Sequence, residues 1–174
     1  MEVRLINAPT EEDWMGVKER AVVTIGKHAV TPPTSEWKHR ILRARHSPIR
    51  YLRYSFYFEG IPSWVSVHLV RHVFAQPYVK SQRNDRQSDY DRTKAPQDTP
   101  VNMIYDVNAE ELMVIANKRL CNQASKETQA VIREMCKLAE EATPELKGLL
   151  VPMCEYGRCN EMYPCGKVEV NHEA

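Results

Sequence analysis

Between Phe58 and Arg83 the chain reads FEGIPSWVSVHLVRHVFAQPYVKSQR, and inside this stretch the apolar period changes. Phe56 and Phe58 are two apart, whereas Trp64, Val65 and Leu69 follow a spacing near 3.6, with Gly60 and Pro62 at the break. A strand therefore runs into a helix with almost no loop between them. On that predicted helix His68, Arg71 and His72 stand at i, i+3 and i+4, which puts their side chains on one face near its end. A polar loop follows, with Lys80, Ser81, Arg83, Arg86, Arg92 and Lys94, a set of cationic groups and a hydroxyl suited to an anion such as phosphate. Two plainer readings stand beside that one: cations in a last helical turn complement the helix dipole, and charged loops are commonly just solvated. His68 and His72 also have a zinc-chelating HxxxH spacing, but Leu69 follows His68 where the metalloprotease pattern needs a Glu.

With 174 residues, a 43% apolar fraction and a 27% charged fraction, the expectation is a single domain over 1–174 with a sizeable core. A net charge of +1 argues against bulk attraction to nucleic acid or anionic membrane, so any basic site must be local. No apolar run approaches the ~18 residues of a membrane span and MEVRLINAP has no signal-like core, so the expected location is the cytoplasm. Five cysteines, two of them inside a helical pattern, do not form a secreted disulfide framework. Cys154, Cys159 and Cys165, with His172, are candidate metal ligands in a cysteine-containing tail over 153–174, but their spacing lacks the paired CxxC form and free thiols are the expectation.

Along the chain, Val3, Leu5 and Ala8 predict a first strand ended by Pro9, and Thr10 followed by Glu11, Glu12 and Asp13 predicts a capped helix to about Gly26. Thr34 or Ser35 caps a second helix that ends before Ser47-Pro48. Leu52, Tyr54, Phe56 and Phe58 alternate with polar residues as a half-buried strand. Residues 73–101 read as one long, apolar-poor loop. Asn108-Ala-Glu-Glu111 opens a helix whose apolar period continues to about residue 140, the longest predicted element. Arg119 lies at about −20° from Leu112 on the helical wheel, inside the apolar stripe. A guanidinium there needs an anionic or hydrogen-bonding partner, unless it snorkels to the rim.

Two segments resemble the flavin-dependent thymidylate synthases. ARHSPIRYLRYSFYFEGIPSWVSVHLVRH, with Ser81 and Arg83, follows that family's SPxEH, strand, "EGI", RHR, seven residues, Ser, one residue, Arg; VNAEELMVIANKRLCNQASKE follows its NARSLxxFxxLRxCxRAQWE without a gap. The cysteine tail is similar to that of many bacterial members. Departures from the pattern are Arg50 and Tyr51 for the Glu and His of SPxEH, His68 for a frequent Gln, Val73 for the last Arg of RHR, Val79 for an acidic residue, and Glu110 for the Arg of NAR. Only 24 residues separate Arg83 from Asn108, where typical members carry a longer insert.

The resemblance implies an α+β fold with a small mixed or antiparallel sheet and long helices, in an oligomer, with sites formed between subunits of a homotetramer. It implies an enzyme that converts dUMP to dTMP by reductive methylation, using FAD with NADPH and methylenetetrahydrofolate. It places dUMP on His68, Arg71, Ser81, Arg83 and Arg119, with Arg71 and Arg83 on the phosphate, and FAD on Arg71, His72 and Asn108. Arg119 becomes the catalytic residue, contacting the uracil ring; no metal is implied. The alternative is a homologue that keeps the pyrimidine-nucleotide pocket for other C5 chemistry or for binding alone.

Overall fold

The computed structural model of the chain describes residues 1–86 and 90–168. Among them four strands, β1 (Glu2–Asn7), β2 (Arg53–Pro62), β3 (Gln76–Val79) and β4 (Pro100–Asn108), form one antiparallel sheet in the order β1-β2-β4-β3. Five helices accompany it: α1 (Glu11–Val23), α2 (Ser35–Arg43), α3 (Ser63–Leu69), α4 (Ala109–Arg119) and α5 (Lys126–Ala142). The class is α+β, and the sheet is antiparallel throughout.

The core follows from period-2 alternation on the two central strands. Tyr54, Phe56 and Phe58 of β2 and Val101, Met103, Tyr105 and Val107 of β4 are buried on one face, while Arg53, Tyr57 and Glu59 point the other way. Leu112, Met113, Ile115 and Ala116 of α4, with Val131, Ile132, Met135 and Ala139 of α5, close over that face. Each large side chain so buried contributes about 1.5–3 kcal/mol.

The predicted strand-to-helix passage is present, and its joint is built by the backbone. Gly60 has φ +62° at a register shift between Phe58 and Ile61, a bulge geometry that glycine adopts at least cost, and its N–H donates to Asn102 Oδ1 at 3.0 Å. Pro62 gives α3 no side-chain cap, so the N–H groups of Ser63 and Trp64 donate instead to the carbonyls of Thr99 (3.0 Å) and Gln97 (3.3 Å).

Three sequence expectations are corrected. α3 stops at Leu69, so Arg71 and His72 lie in the turn beyond it, where the His72 N–H donates to the Leu69 carbonyl at 3.1 Å. The stretch 73–101 is not one loop: it holds β3 and a 3-10 turn at Asn84–Arg86, and β4 begins at Pro100. The single long helix is two. α4 ends at Arg119, and Ser125 starts α5 by accepting from the Thr128 N–H at 3.3 Å, a local cap that outcompetes continuation of the helix.

Candidate functional site

The turn after α3 and the last residue of α4 meet in a cluster of cations and imidazoles. Arg119 Nε donates to His72 Nε2 at 3.1 Å, and Arg119 Nη2 donates to the His68 carbonyl at 2.9 Å. His72 Nδ1 lies 3.1 Å from Glu111 Oε1, with both residues buried. An Nε2 that accepts from a guanidinium carries no proton, so His72 is neutral, with its hydrogen on Nδ1 donated to Glu111. Burial, then the charges of Arg119 and Arg71, push His72 down to about 4. His68 is also lowered, by burial and the same two arginines; its Nδ1 is 3.1 Å from Thr128 Oγ1 and its ring meets Trp64 edge-on. Arg119 is held below its ordinary value by burial and by Arg71, and burial raises Glu111.

Arg119 thus has the hydrogen-bonding partner that its place on the apolar stripe demands, with the carboxylate one ring further on. α4 ends here, so its terminal carbonyls favour the guanidinium. Arg71 is exposed and has no ion pair among the described residues, although it raises the positive potential at His68, His72 and Arg119. The arrangement is a half-buried cationic surface of a kind suited to an anion. Glu111 was missed as a site residue in the sequence because its contact with His72 spans 39 positions and its place in the first turn of a helix explained it already.

The other proposed nucleotide residues lie past β3. The Arg83 fork closes on the Asp85 carboxylate through Nε at 2.8 Å, and its N–H donates to Ser81 Oγ at 3.3 Å. Both residues are exposed, at the opposite end of β3 from Arg71.

A profile of the family described as thymidylate synthase complementing protein matches residues 84–145. The fold is also shared with thymidylate synthase X (ThyX) of Helicobacter pylori solved with FAD and dUMP, at a TM-score of 0.67 and 17% identity over 86% of this chain and 97% of that one. This is the ThyX fold. Another structure of flavin-dependent thymidylate synthase ThyX from H. pylori, also complexed with FAD and dUMP, gives a TM-score of 0.62 and 18% identity over 82% and 99% of the two chains. No curated protein matches.

Against the ThyX pattern, the departing residues Arg50, Tyr51 and Glu110 form contacts with one another and with α1. Arg50 pairs with Glu110, so the arginine found at a glutamate position binds the glutamate found at an arginine position. Tyr51 lies under the Arg20 guanidinium, 3.6 Å from ring centroid to Cζ. Asn108 caps α4, its Oδ1 accepting from the Glu111 N–H at 2.9 Å. Its amide nitrogen remains as a donor, and Arg71 as a free cation among the described residues, so two of the three residues that the resemblance assigns to a flavin retain groups that suit one.

A cavity of about 340 Å³ lies away from this cluster, between the α4–α5 turn and the tail, lined by Cys121, Leu150, Cys154, Cys159 and Cys165. The five cysteines are free thiols. Among the described residues no group of three or more His, Cys, Asp and Glu is placed to hold a metal; His172 lies outside those residues. Nor is any described helix long and apolar enough to cross a membrane.

Proposed function

We propose that the chain is a flavin-dependent thymidylate synthase-like enzyme acting on dUMP, and the observation that carries this reading is the Arg71–His72–Arg119 cluster set within a ThyX fold. Arg119 enters the site already anchored by two hydrogen bonds, leaving Nη1 and the second Nη2 hydrogen for a ligand. Those donors suit N3 and O2 of a uracil ring, where negative charge grows as C5 becomes nucleophilic; fixed donors stabilise such charge without reorganising. Arg71, exposed and without an ion pair among the described residues, supplies a guanidinium for a 5′-phosphate. Arg83 and Ser81, at the far end of β3 from Arg71, would reach that phosphate across subunits of the oligomer, the Arg83 fork exchanging Asp85 for it with the same two-pronged geometry.

FAD would be held by Arg71, the Asn108 amide and the His72 face, and when bound it would supply the reducing equivalents, drawn from NADPH, that turn the methylene unit passed from methylenetetrahydrofolate to C5 into a methyl group. Pairing with Arg50 removes the repulsion that Glu110 would otherwise direct at a flavin pyrophosphate. Val67 of α3, Val70, Val73 and Phe74 of the turn that follows, and Tyr78 of β3 are exposed, an apolar run of chain that supports an oligomer, the expected tetramer, as the form in which the open site is closed.

The closed Arg50–Glu110 pair, Tyr51 packed on α1 and Asn108 Oδ1 engaged as a cap favour one second reading: a homologue that binds the pyrimidine nucleotide without flavin chemistry. Calorimetry with dUMP and deoxyuridine, beside the visible absorbance of the purified protein, tests both. Tight dUMP, weak deoxyuridine and a yellow protein support the enzyme; tight dUMP on a colourless protein that takes up no added FAD supports the second reading. Equal affinity for nucleotide and nucleoside rejects the phosphate site.

A further inference from the structure

Glu111 stands where the NARSL pattern has Ser, and its carboxylate is buried against His72, which in turn bonds Arg119. A Ser hydroxyl is too short to make the same contact from that Cα. The line of three groups therefore belongs to this chain rather than to the pattern it resembles. Each bond in it fixes the next. A carboxylate opposite Nδ1 holds the ring hydrogen there, the bare Nε2 becomes an acceptor, and that acceptor takes the Arg119 Nε–H. The His68 carbonyl fixes Nη2 at the same time, so the plane of the guanidinium is set by two bonds on one edge.

We propose that Glu111 is a positioning residue for the nucleotide site: it holds His72 in the Nδ1–H tautomer and so aims the Arg119 fork at the ligand. The inference rests on the nucleotide reading above for its consequence, but its first step, the tautomer, stands without any ligand. Removing the carboxylate leaves a buried Nδ1–H without an acceptor, a cost the ring escapes by moving its hydrogen to Nε2 and swinging away, which takes the acceptor from the Arg119 Nε–H and releases the fork. A glutamine keeps a carbonyl oxygen able to accept from Nδ1–H, so it preserves the line; leucine fills the space and supplies no acceptor, and methionine fills it with only a weak one.

The test uses the full-length chain with Glu111→Gln, Glu111→Leu and Glu111→Met, each checked by far-ultraviolet circular dichroism; two apolar variants are made so that one folded example suffices. Nitrogen-15 spectra of the His72 ring in ligand-free protein report the tautomer, and calorimetry with dUMP reports the fork. Expected are an Nδ1–H ring in the parent and Gln proteins, an Nε2–H ring in the apolar variants, and dUMP binding within about twofold of the parent for Gln but at least tenfold weaker for Leu or Met. An unchanged tautomer in the apolar variants overturns the proposal, as does a Gln variant that loses affinity as Leu does. A parent that shows the Nδ1–H ring but binds no dUMP sinks the nucleotide reading while upholding the tautomer step; a parent with Nε2–H sinks the proposal alone.

Discussion

Arg50 and Glu110 bind one another across the joint between the 3-10 turn at Ser47–Tyr51 and the first turn of α4, each at a position where the ThyX pattern carries the opposite charge. The exchange keeps one cation and one anion at the joint. Arg50→Glu sets two carboxylates together and Glu110→Arg two guanidiniums, whereas the double exchange restores an opposed pair. Each single variant is expected to melt about 2 °C below the parent and the double variant within about 1 °C of it, since exposed pairs contribute little and like charges cost a similar amount. Thermal melts of the four proteins check this, and a double variant no better than the sum of the singles refutes the pairing.

Arg119→Lys keeps the charge and loses the fork. One ammonium cannot serve the His72 ring, the His68 carbonyl and a ligand together. The variant is expected to fold, with turnover lowered about 10²–10³-fold, the usual cost of removing a donor to developing charge. Tritium release from C5-labelled dUMP, read beside melts with and without dUMP, measures both; full activity rules out the ring role.

His72 should make stability fall with acid. Its folded-state pKa of about 4 lies below the ordinary 6.5, so the unfolded chain binds the proton more readily between those values. The contribution is present in full above pH 6.5 and is lost as pH falls through about 4. Relative to His72→Asn, the parent should lose roughly 2–3 kcal/mol over that window. Urea denaturation of both proteins at several pH values checks it; parallel curves would show that His72 titrates normally.

Gly16 lies under the Tyr51 ring, where an added Cβ would come within 2.6 Å of Tyr51 Cε1. Alanine in mid-helix is ordinarily better than glycine by about 1 kcal/mol. Here that gain is offset by displacing Tyr51 from beneath Arg20. Gly16→Ala alone is expected to leave the melting temperature near the parent value, while in a Tyr51→Ala background the same change should stabilise by about 1 kcal/mol. Chemical denaturation of the four combinations decides it.

The strand-to-helix passage, the Thr10 and Asn108 caps and the buried face of β2 were legible in the sequence because each depends on neighbours within a few residues. β4 was legible in principle: Val101, Met103, Tyr105 and Val107 alternate, but Pro100 and the polar run before it made the segment look like loop. β3, with only four residues and one flank of β4 to pair with, carries too short a pattern to recognise. The helix break at 120–125 was hidden by an apolar period that happens to stay in phase across it. At the site, Arg119 was found from its place on the wheel, whereas Glu111 and Thr128 were not, since nothing local distinguishes a capping acid or a first-turn threonine from one that reaches across the fold to an imidazole.

The bonds that assemble the cationic cluster join segments far apart along the chain: Arg119 to His72 over 47 positions and His68 to Thr128 over 60. Such a site cannot form ahead of the docking of α4 and α5, nor survive their departure. Its existence is all-or-none with the core, so the His72 amide should exchange with solvent at the rate of global opening rather than of local fraying. A ligand gripping these residues would consequently slow exchange in the buried strands as much as in the turn it touches.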